Sequence, residues 1–481
     1  MRITIIGYGM AGARLADNLH GSGAAITVIG AEKHPAYNRI LLSNVVAGSM
    51  TPDDVLLHSP DWAQDNGIDL RLGVAAAEIL VAEHRVLLTD GSTVDYDALV
   101  LATGSSPWVP PTDGLQVDGA LAPGVVAFRD LDDCQQIVGM AKDFGPVAVL
   151  GGGLLGLEAA RGLAGRGCPV TVVHPVGHLM ERQLDSAGGH VLARVLGTKG
   201  IDFRLGRFAT KYLPDKGLQL DDGSIVPAGT VVVSAGARPS TALAEAAGLA
   251  VDRGVIIDDC LRTSAPDVYA IGDCATHPGT VGGLVQPAWE QAAVLAKRLA
   301  GEDARYTGTQ VVTRLKTRDV DLASMGEVHV ETQDLDAEVV RLEDPSRGRY
   351  TKIVLRDDRV TGAIVLGAPD VAAAVTQLHD RGTPAPADRM ALLLGRAMPA
   401  GEAVDPATLP ASTLICRCNT VDKGRLVGAW HAGARSFDSL VSTTMAGTGC
   451  GGCRDSVCAL SRWLAEQDPL TEPEKLGCNA T

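Results

Sequence analysis

The sequence predicts an α/β protein with two dinucleotide-binding domains, a small α+β domain and a small helical domain. Two glycine loops with the spacing G-x-G-x-x-G predict the larger part, because each follows an apolar strand, at residues 7 and 151. A third observation is a pair of cysteine motifs near the C-terminus, C-x-C and C-x-x-C. The 481 residues leave room for about three or four domains.

Composition narrows the classes of function. The net charge of −15 argues against nucleic acid as a partner. The apolar stretch 147–165 contains Glu158 and Arg161, so we expect a nucleotide fold there and no membrane span. The ten cysteines are not spaced as a disulfide framework, and no signal peptide precedes the first strand. A reducing, cytoplasmic location is therefore expected.

The first glycine loop lies between an apolar strand, 3–6, and a helical run, 13–19. In this motif the glycines permit a tight turn, close approach of a pyrophosphate and close packing of the helix, whose N-terminus faces the phosphates. An acid after the second strand, 25–29, can accept hydrogen bonds from ribose hydroxyls. The predicted dinucleotide contacts are Gly7, Gly9, Met10, Ala11, Gly12 and Glu32.

Two later strand ends point to a flavin. The strand 96–101 ends in Ala102-Thr103-Gly104, and the strand 269–271 ends in Gly272-Asp273. An acid at such a strand end can bind the ribityl hydroxyls of FAD. The alternative is that Asp273 is the N-cap of a helix that begins near Ala275.

The second glycine loop repeats the first. It runs from Gly151 through Gly153 to Gly156, between the strand 147–150 and a helix that reaches residue 163. The next strand, 169–173, is followed by His174. An acid there favours the 2′-hydroxyl of NADH and an arginine favours the 2′-phosphate of NADPH, so histidine fits neither pattern. We predict NADH, because the next cation is Arg182, and NADPH stays open.

Taken together, these segments resemble the flavoprotein reductases with two dinucleotide-binding domains, a Rossmann-like fold of the glutathione reductase type. The resemblance implies FAD at the first site and NAD(P)H at the second. It adds Arg39 at the FAD phosphates or adenosine and Glu158 near the nicotinamide; the alternatives are a surface ion pair and a solvated helix residue. Further residues that it places at the two sites are Ser43, Pro287, Leu154, Leu155 and Gly236. The segment 286–290 resembles the start of the helix under the flavin, and the alternative for Trp289 within it is an ordinary core residue.

Disulfide reductases of this fold use two cysteines with four residues between them in the FAD domain. The chain has no cysteine before Cys134, so thiol–disulfide exchange by that route is excluded. The segments 37–43 and 181–185 look closer to the reductase half of bacterial nitrite and nitrate reductase systems. Leu315-Lys316 falls where the family has Leu-Lys; Lys316 either approaches the flavin or is a surface lysine.

The cysteine module contains Cys416, Cys418, Cys450 and Cys453. Four thiolates in two close pairs hold either a [2Fe-2S] cluster or zinc. The module resembles the bacterioferritin-associated-ferredoxin type of [2Fe-2S] domain, which favours the cluster. The 31 residues between the two motifs suit two intervening helices.

The predicted domain boundaries follow from these assignments. They are 1–115 with 240–305 for FAD, 116–239 for NAD(P)H, 306–397 for the small α+β domain, 398–412 for a linker, 413–465 for the [2Fe-2S] domain and 466–481 for a tail.

The predicted cofactors indicate that the protein transfers electrons. NADH gives two electrons at once and a [2Fe-2S] cluster takes one, so FAD belongs between them, and no side chain is expected to act as a nucleophile or base. The chain stops at Thr481 without a sirohaem domain, so we expect it not to reduce nitrite alone. The predicted partner is the separate molybdenum-containing catalytic subunit of an assimilatory nitrate reductase. The alternatives are a reductase for a nitrite reductase, ferredoxin or oxygenase, and a redox-sensing or iron-handling binding protein.

Overall fold

The computed structural model describes residues 1–143, 145–278, 282–315, 317, 320–396, 409–416, 419–448 and 451–468. The chain forms two compact units. One consists of Met1–Pro175 and Arg207–Thr309, and the other of Val176–Gly206 and Gln310–Thr481.

The first half of the chain alternates strands and helices. Its strands are β1 (Arg2–Ile6), β2 (Ala25–Gly30), β3 (Asp69–Leu72), β4 (Ala76–Leu80), β5 (Arg85–Leu88), β6 (Thr93–Asp95), β7 (Ala98–Leu101), β8 (Ser105–Pro107), β9 (Gln116–Val117), β10 (Ala120–Leu121), β11 (Val125–Ala127), β12 (Val147–Leu150), β13 (Val170–His174), β14 (Ile201–Leu205), β15 (Ala209–Leu213), β16 (Gly217–Leu220), β17 (Ile225–Val226), β18 (Thr230–Val233) and β19 (Ala237–Pro239). Its α-helices are α1 (Met10–Leu19), α2 (Leu42–Ala47), α3 (Trp62–Asp65), α4 (Leu131–Met140), α5 (Leu154–Gly165) and α6 (Ser186–Gly197).

The second half contains the three longest described strands, which pair antiparallel. Its strands are β20 (Val255–Ile256), β21 (Val268–Ala270), β22 (Ala275–Thr276), β23 (Val312–Arg314), β24 (Leu322–Gly326), β25 (Glu338–Asp344), β26 (Arg349–Arg356), β27 (Arg359–Leu366), β28 (Leu414–Cys416) and β29 (Val421–Asp422). Its α-helices are α7 (Ala242–Ala246), α8 (Val285–Leu299), α9 (Pro369–Arg381), α10 (Arg389–Leu393), α11 (Lys423–His431), α12 (Phe437–Thr444) and α13 (Arg454–Gln467).

The first unit contains two parallel sheets. One has the strand order β21-β7-β1-β2-β3, and the strands β11, β18, β12 and β13 lie side by side in the other. Their strands are short apolar runs; β7, β12 and β18 are buried along their whole length, as in parallel sheets covered on both faces. Each glycine loop follows a strand with parallel neighbours on both sides, β1 or β12. The predicted α/β class is confirmed.

The second unit contains an antiparallel sheet with the strand order β23-β24-β27-β26-β25. The strands β26 and β27 and the helix α9 lie within 306–397, the range predicted for the small α+β domain. Buried side chains of this sheet and of α9 form one core, including Ile353, Val365 and Val375.

Helix α6 is attached to this sheet by a buried polar cluster. Asp185 is the N-cap of α6 and accepts hydrogen bonds from the Tyr350 hydroxyl at 2.6 Å and from Lys352 Nζ at 3.0 Å. Lys352 also donates to the carbonyl oxygen of Val328 at 2.9 Å. Burial alone would raise the pKa of Asp185, but the hydrogen bonds from Tyr350, the Gly188 N–H and Lys352 hold it below its usual value.

The C-terminal helices form a separate core. The side chains of α11, α12 and α13 pack around the fully buried Trp430. Helices α11 and α12 are the two helices predicted between the cysteine motifs. Along the described ranges, every helix is too short or too polar to cross a bilayer.

Candidate functional site

The first glycine loop is fixed by close backbone contacts. Gly7 has a φ of +113°, and a Cβ there would lie 2.2 Å from the carbonyl oxygen of Ala102. A Cβ on Gly12 would lie 1.9 Å from the carbonyl oxygen of Gly7. Both positions therefore require glycine. Gly9 is the N-cap of α1 and makes no side-chain hydrogen bond to the helix, so this end of α1 suits an anion such as a pyrophosphate.

Residues from distant parts of the sequence adjoin the start of α1. Met10 and Ala11 are its first two residues and are buried. A Cβ on Gly272 would lie 2.9 Å from the Cβ of Ala11, and the indole N–H of Trp289 donates to the carbonyl oxygen of Met10 at 2.9 Å. Pro287 is buried in the first turn of α8. The loop is thus enclosed by α8 and by the strand end at Gly272.

Glu32 and Arg39 form one polar network beside this loop. The guanidinium of Arg39 donates to Glu32, and the Tyr37 hydroxyl donates to the same carboxylate at 2.5 Å. A Cβ on Gly9 would lie 3.8 Å from Arg39 Nε. Burial would lower the pKa of Arg39, but Tyr37 and Glu32 hold it above its usual value. Arg39 therefore forms an ion pair, but a partly buried one that keeps a permanent charge at the loop. Ser43 is buried in α2.

Asp273 is held by an arginine that the sequence analysis missed. Arg129 Nη2 donates to Asp273 Oδ2 at 2.7 Å, and the Ser105 hydroxyl donates to the same oxygen at 3.0 Å. Asp273 Oδ1 accepts from the backbone N–H of Gly283 at 3.0 Å. The alternative of a helix N-cap is wrong, because Asp273 lies in a 3₁₀ turn that makes no side-chain cap and Ala275 begins the strand β22.

The Ala102-Thr103-Gly104 strand end lies at the same edge of the sheet. Ala102 is buried, and the Thr103 hydroxyl donates to the carbonyl oxygen of Ser240 at 2.9 Å. Gly104 has a φ of +68°, which lets the chain turn away from β7. This turn leads directly to Ser105, one of the partners of Asp273.

The second glycine loop has the same construction as the first. Gly151 has a φ of +121°, and a Cβ there would lie 2.1 Å from the carbonyl oxygen of Ser234. A Cβ on Gly156 would lie 2.2 Å from the carbonyl oxygen of Gly151. Gly153 is the N-cap of α5, and its position has no atom within 4 Å that a Cβ would meet among the described residues. This helix end is therefore open to a ligand in the way the motif requires.

Four other residues were predicted at this nucleotide site, and they differ in their exposure and position. Leu154 and Leu155 begin α5 and are partly exposed, whereas Glu158 in the same helix is buried rather than solvated. Gly236, with a φ of +118°, follows β18. Their contacts with NAD(P)H stay a prediction.

His174 faces the glycine loop from the end of β13. It is 4% exposed, and its Nδ1 accepts a hydrogen bond from the backbone N–H of Gly152 at 3.2 Å. A buried imidazole therefore lies at the strand end whose residue type usually distinguishes NADH from NADPH.

Half of the predicted cluster site lies within the described residues. Cys416 ends β28 and is fully buried, and Cys453 is 7% exposed as the residue before α13. Gly451 has a φ of +77°, the unusual backbone expected around a cluster. A thiolate at the N-terminus of a helix is stabilised by the helix dipole. These two cysteines thus fit an anionic thiolate cluster. Cys418 and Cys450 lie outside the described residues, and so does Lys316. Within the described part of the chain, no group of three metal-ligating side chains lies close enough together to hold a metal ion.

The remaining buried cysteines of the first unit are unsuited to exchange chemistry. Burial raises the pKa of Cys134, and the nearby Asp133 carboxylate raises it further. Burial likewise raises the pKa of Cys274. Thiols of this kind are unreactive.

The first loop has a further support that the sequence alone does not indicate. The Tyr8 hydroxyl lies 2.6 Å from His58 Nδ1, and His58 Nε2 lies 2.9 Å from Asp17 Oδ1. The His58 ring stacks on Trp62 with centroids 3.7 Å apart. Tyr8 belongs to the glycine loop, so this chain of contacts anchors it to α1 and α3. No local motif marks His58.

Comparisons with known families agree with this geometry. Residues 1–292 match the family described as pyridine nucleotide-disulphide oxidoreductase. Residues 312–378 match the rubredoxin NAD+ reductase C-terminal domain, and residues 414–460 match the BFD-like [2Fe-2S] binding domain.

Two curated relatives from Bacillus subtilis (strain 168) match nearly the whole chain. The assimilatory nitrate reductase electron transfer subunit is 35% identical over 99% of this chain and 62% of its own length. The nitrite reductase [NAD(P)H] is 35% identical over 95% of this chain and 57% of its own length. The chain therefore spans less than two thirds of each relative.

A solved structure shows the same fold. NADH:rubredoxin oxidoreductase from Clostridium acetobutylicum superposes with a TM-score of 0.68 at 26% identity, covering 82% of this chain and 98% of that one. The chain thus belongs to the pyridine nucleotide-disulphide oxidoreductase family, as an NAD(P)H-dependent flavoprotein with FAD and, in its C-terminal domain, a [2Fe-2S] cluster.

Proposed function

We propose that the chain carries electrons from NADH through FAD and the [2Fe-2S] cluster to the molybdenum-containing catalytic subunit of an assimilatory nitrate reductase. The observation that carries this proposal is the 35% identity, over 99% of the chain, to a relative named as the electron transfer subunit of that enzyme. The overall reaction balances as NADH, nitrate and a proton giving NAD+, nitrite and water. The two electrons of NADH pass to the partner one at a time.

The flavin supplies the change from two-electron to one-electron chemistry. The proposed FAD-holding residues are those of the first loop with Glu32, Arg39, Ser43, the strand end 102–104, Gly272, Asp273 and Pro287. The loop glycines and the N-terminus of α1 offer N–H donors to a pyrophosphate, and Arg39 adds a fixed positive charge there. Arg129 and Ser105 orient the Asp273 carboxylate, which suits a hydroxyl-bearing chain such as ribityl.

The proposed NADH-holding residues are those of the second loop with Glu158, His174 and Gly236. The N-terminus of α5 offers the same donors. We propose NADH rather than NADPH because His174 stands at the strand end and the next cation along the chain is Arg182. A 2′-phosphate would therefore lack an evident cationic partner in this segment of the sequence. The proposed cluster ligands are Cys416, Cys418, Cys450 and Cys453.

An anaerobic titration of the purified protein with NADH tests the first part of the proposal. We expect bleaching of a flavin band together with a rhombic [2Fe-2S] signal in low-temperature EPR. Flavin bleaching without a cluster signal, with zinc found by metal analysis, would contradict the electron path. NADPH in place of NADH should reduce the flavin much more slowly.

Mixing with candidate acceptors tests the second part. We expect NADH-dependent nitrate reduction when the catalytic nitrate reductase subunit is added, and a nitrate growth defect in a deletion strain. A similar identity to a nitrite reductase favours, as second candidate, a reductase feeding a nitrite-reducing partner. Fast reduction of free rubredoxin or ferredoxin, without transfer to the nitrate reductase subunit or to a nitrite-reducing partner, would contradict both candidates. Slow turnover with every dye acceptor would favour a sensing or iron-handling role.

A further inference from the structure

The cysteine loop before α13 touches an arginine of the antiparallel sheet. Arg314 is the last residue of β23, the edge strand next to β24. A Cβ on Gly452 would lie 3.3 Å from Arg314 Cδ and Nε and 3.5 Å from Cζ. The guanidinium and its stem therefore lie against the backbone one residue before Cys453. Both residues belong to the same compact unit.

Arg314 is well placed to act on a charged group in that loop. Its side chain is 25% exposed, and its ion pair with Asp321 is long, at 3.9 Å. A guanidinium is permanently charged and weakly hydrated, so it tolerates partial burial beside an anion. Gly452, which has no side chain, leaves space for this approach.

The other described cation beside the loop is bound differently. Arg454, the first residue of α13, has its guanidinium 5.0 Å from the centre of the Phe437 ring. Its Cγ lies 3.3 Å from a Cβ built on Gly447, so its stem packs within the helical domain itself. Arg314, by contrast, reaches this loop from the sheet.

We propose that Arg314 is a positioning residue for the cluster: it seats the segment Gly451–Cys453 on the sheet edge and stabilises the reduced cluster. A [2Fe-2S] cluster held by four thiolates is anionic and gains one negative charge when it accepts an electron. A fixed cation nearby favours the more negative form and raises the reduction potential. The inference deepens the proposed function and rests on it.

The test combines an EPR-monitored redox titration with hydrogen exchange of the peptide after residue 451. Arg314→Gln keeps part of the stem and removes the charge, so the cluster potential should fall. Arg314→Lys restores the charge and should recover most of the potential. Arg314→Ala should also speed amide exchange in the loop by about threefold or more. Reduction of the flavin by NADH should stay unchanged in all three.

The matched control is Arg347→Gln, an exposed arginine of the same sheet domain that pairs with Asp344 at 3.0 Å. Equal potentials in the wild type and Arg314→Gln, or an equal shift in the control, would overturn the inference. Gly452→Val provides an independent approach, since its side chain would displace the guanidinium stem. A wild type that binds no [2Fe-2S] cluster would instead contradict the proposed function, so the two failures are distinguishable.

Discussion

Arg129 and Asp273 come from distant segments of the chain and meet at the predicted flavin site. Their contact at 2.7 Å is a charge-assisted hydrogen bond between side chains that are 24% and 20% exposed. The two residues lie 144 positions apart in the sequence. Because folding brings Arg129 to Asp273, the sequence alone does not identify Arg129 as the residue that orients this predicted FAD-binding carboxylate.

Replacing Arg129 by alanine should weaken FAD binding. The change leaves the Asp273 carboxylate without its charged partner, which costs about 1.5–3 kcal/mol, or roughly ten- to a hundredfold in affinity. FAD release followed by flavin fluorescence measures this. The control is Arg2→Ala, an exposed arginine paired with Asp97 at 2.8 Å. Equal FAD affinity in the two variants would show that Arg129 does not support the site.

Replacing Gly151 by alanine should destabilise the second nucleotide fold. The added Cβ would meet the carbonyl of Ser234 at 2.1 Å, and the φ of +121° is itself unfavourable for alanine. We expect a loss of about 1–3 kcal/mol in the free energy of unfolding, with NADH binding lost. Denaturant titration measures the first quantity. Gly197→Ala at the end of α6, where no described atom lies within 4 Å of the new Cβ, should be nearly neutral.

At the scale of the elements, α4 carries a capping box with an unusual acid. Asp130 accepts from the Asp133 N–H at 2.8 Å, and Asp133 accepts from the Asp130 N–H at 3.1 Å. Burial, and then repulsion from Asp130, raise the pKa of Asp133 to about 6. Folding therefore shifts the equilibrium of this carboxyl toward its protonated form.

Because of this pKa shift, the free energy of unfolding should depend on pH. A raised folded-state pKa gives stability that is present below the unfolded pKa and lost as pH rises through about 6. Asp133→Asn keeps an acceptor and does not titrate, so the wild type should lose stability relative to this variant between about pH 4 and 7. Thermal unfolding at several pH values measures the difference. The control variant is Asp370→Asn, which replaces an exposed acid in the first turn of α9.

At the scale of the whole molecule, the cluster domain has its own core. Cys453 packs with the helices of that core, apart from the core around β1 and β7. Cys453→Ser should therefore abolish the [2Fe-2S] EPR signal and transfer to a partner, while FAD content and NADH-driven dye reduction persist. Iron analysis and flavin absorbance measure this. Cys260→Ser in the first unit should keep both activities; loss of FAD from Cys453→Ser would contradict separate cores.

Much of the fold was predictable because its signals are local. Apolar strands next to glycine loops predicted β1, β12 and the helices after them, and the spacing of the cysteines predicted α11 and α12. The non-local contacts were not predictable. His58 supports the first loop across sequence positions that no motif links, and Arg314 meets Gly452 only because the sheet edge and the helical domain pack together. The position of α6 on the antiparallel sheet depends on the hydrogen bond from Lys352 to Asp185, two residues that are far apart in the sequence.

That attachment of α6 has a consequence for shortened forms of the protein. A chain that ends near residue 310 keeps both glycine loops but loses β26, and with it the hydroxyl and ammonium groups that neutralise Asp185. The apolar face of α6 would then meet water, and such a fragment should aggregate. A fragment that extends through α10 keeps the whole sheet together with α9 and α10, whose side chains belong to its core. Such a fragment should remain in solution as a flavoprotein without iron.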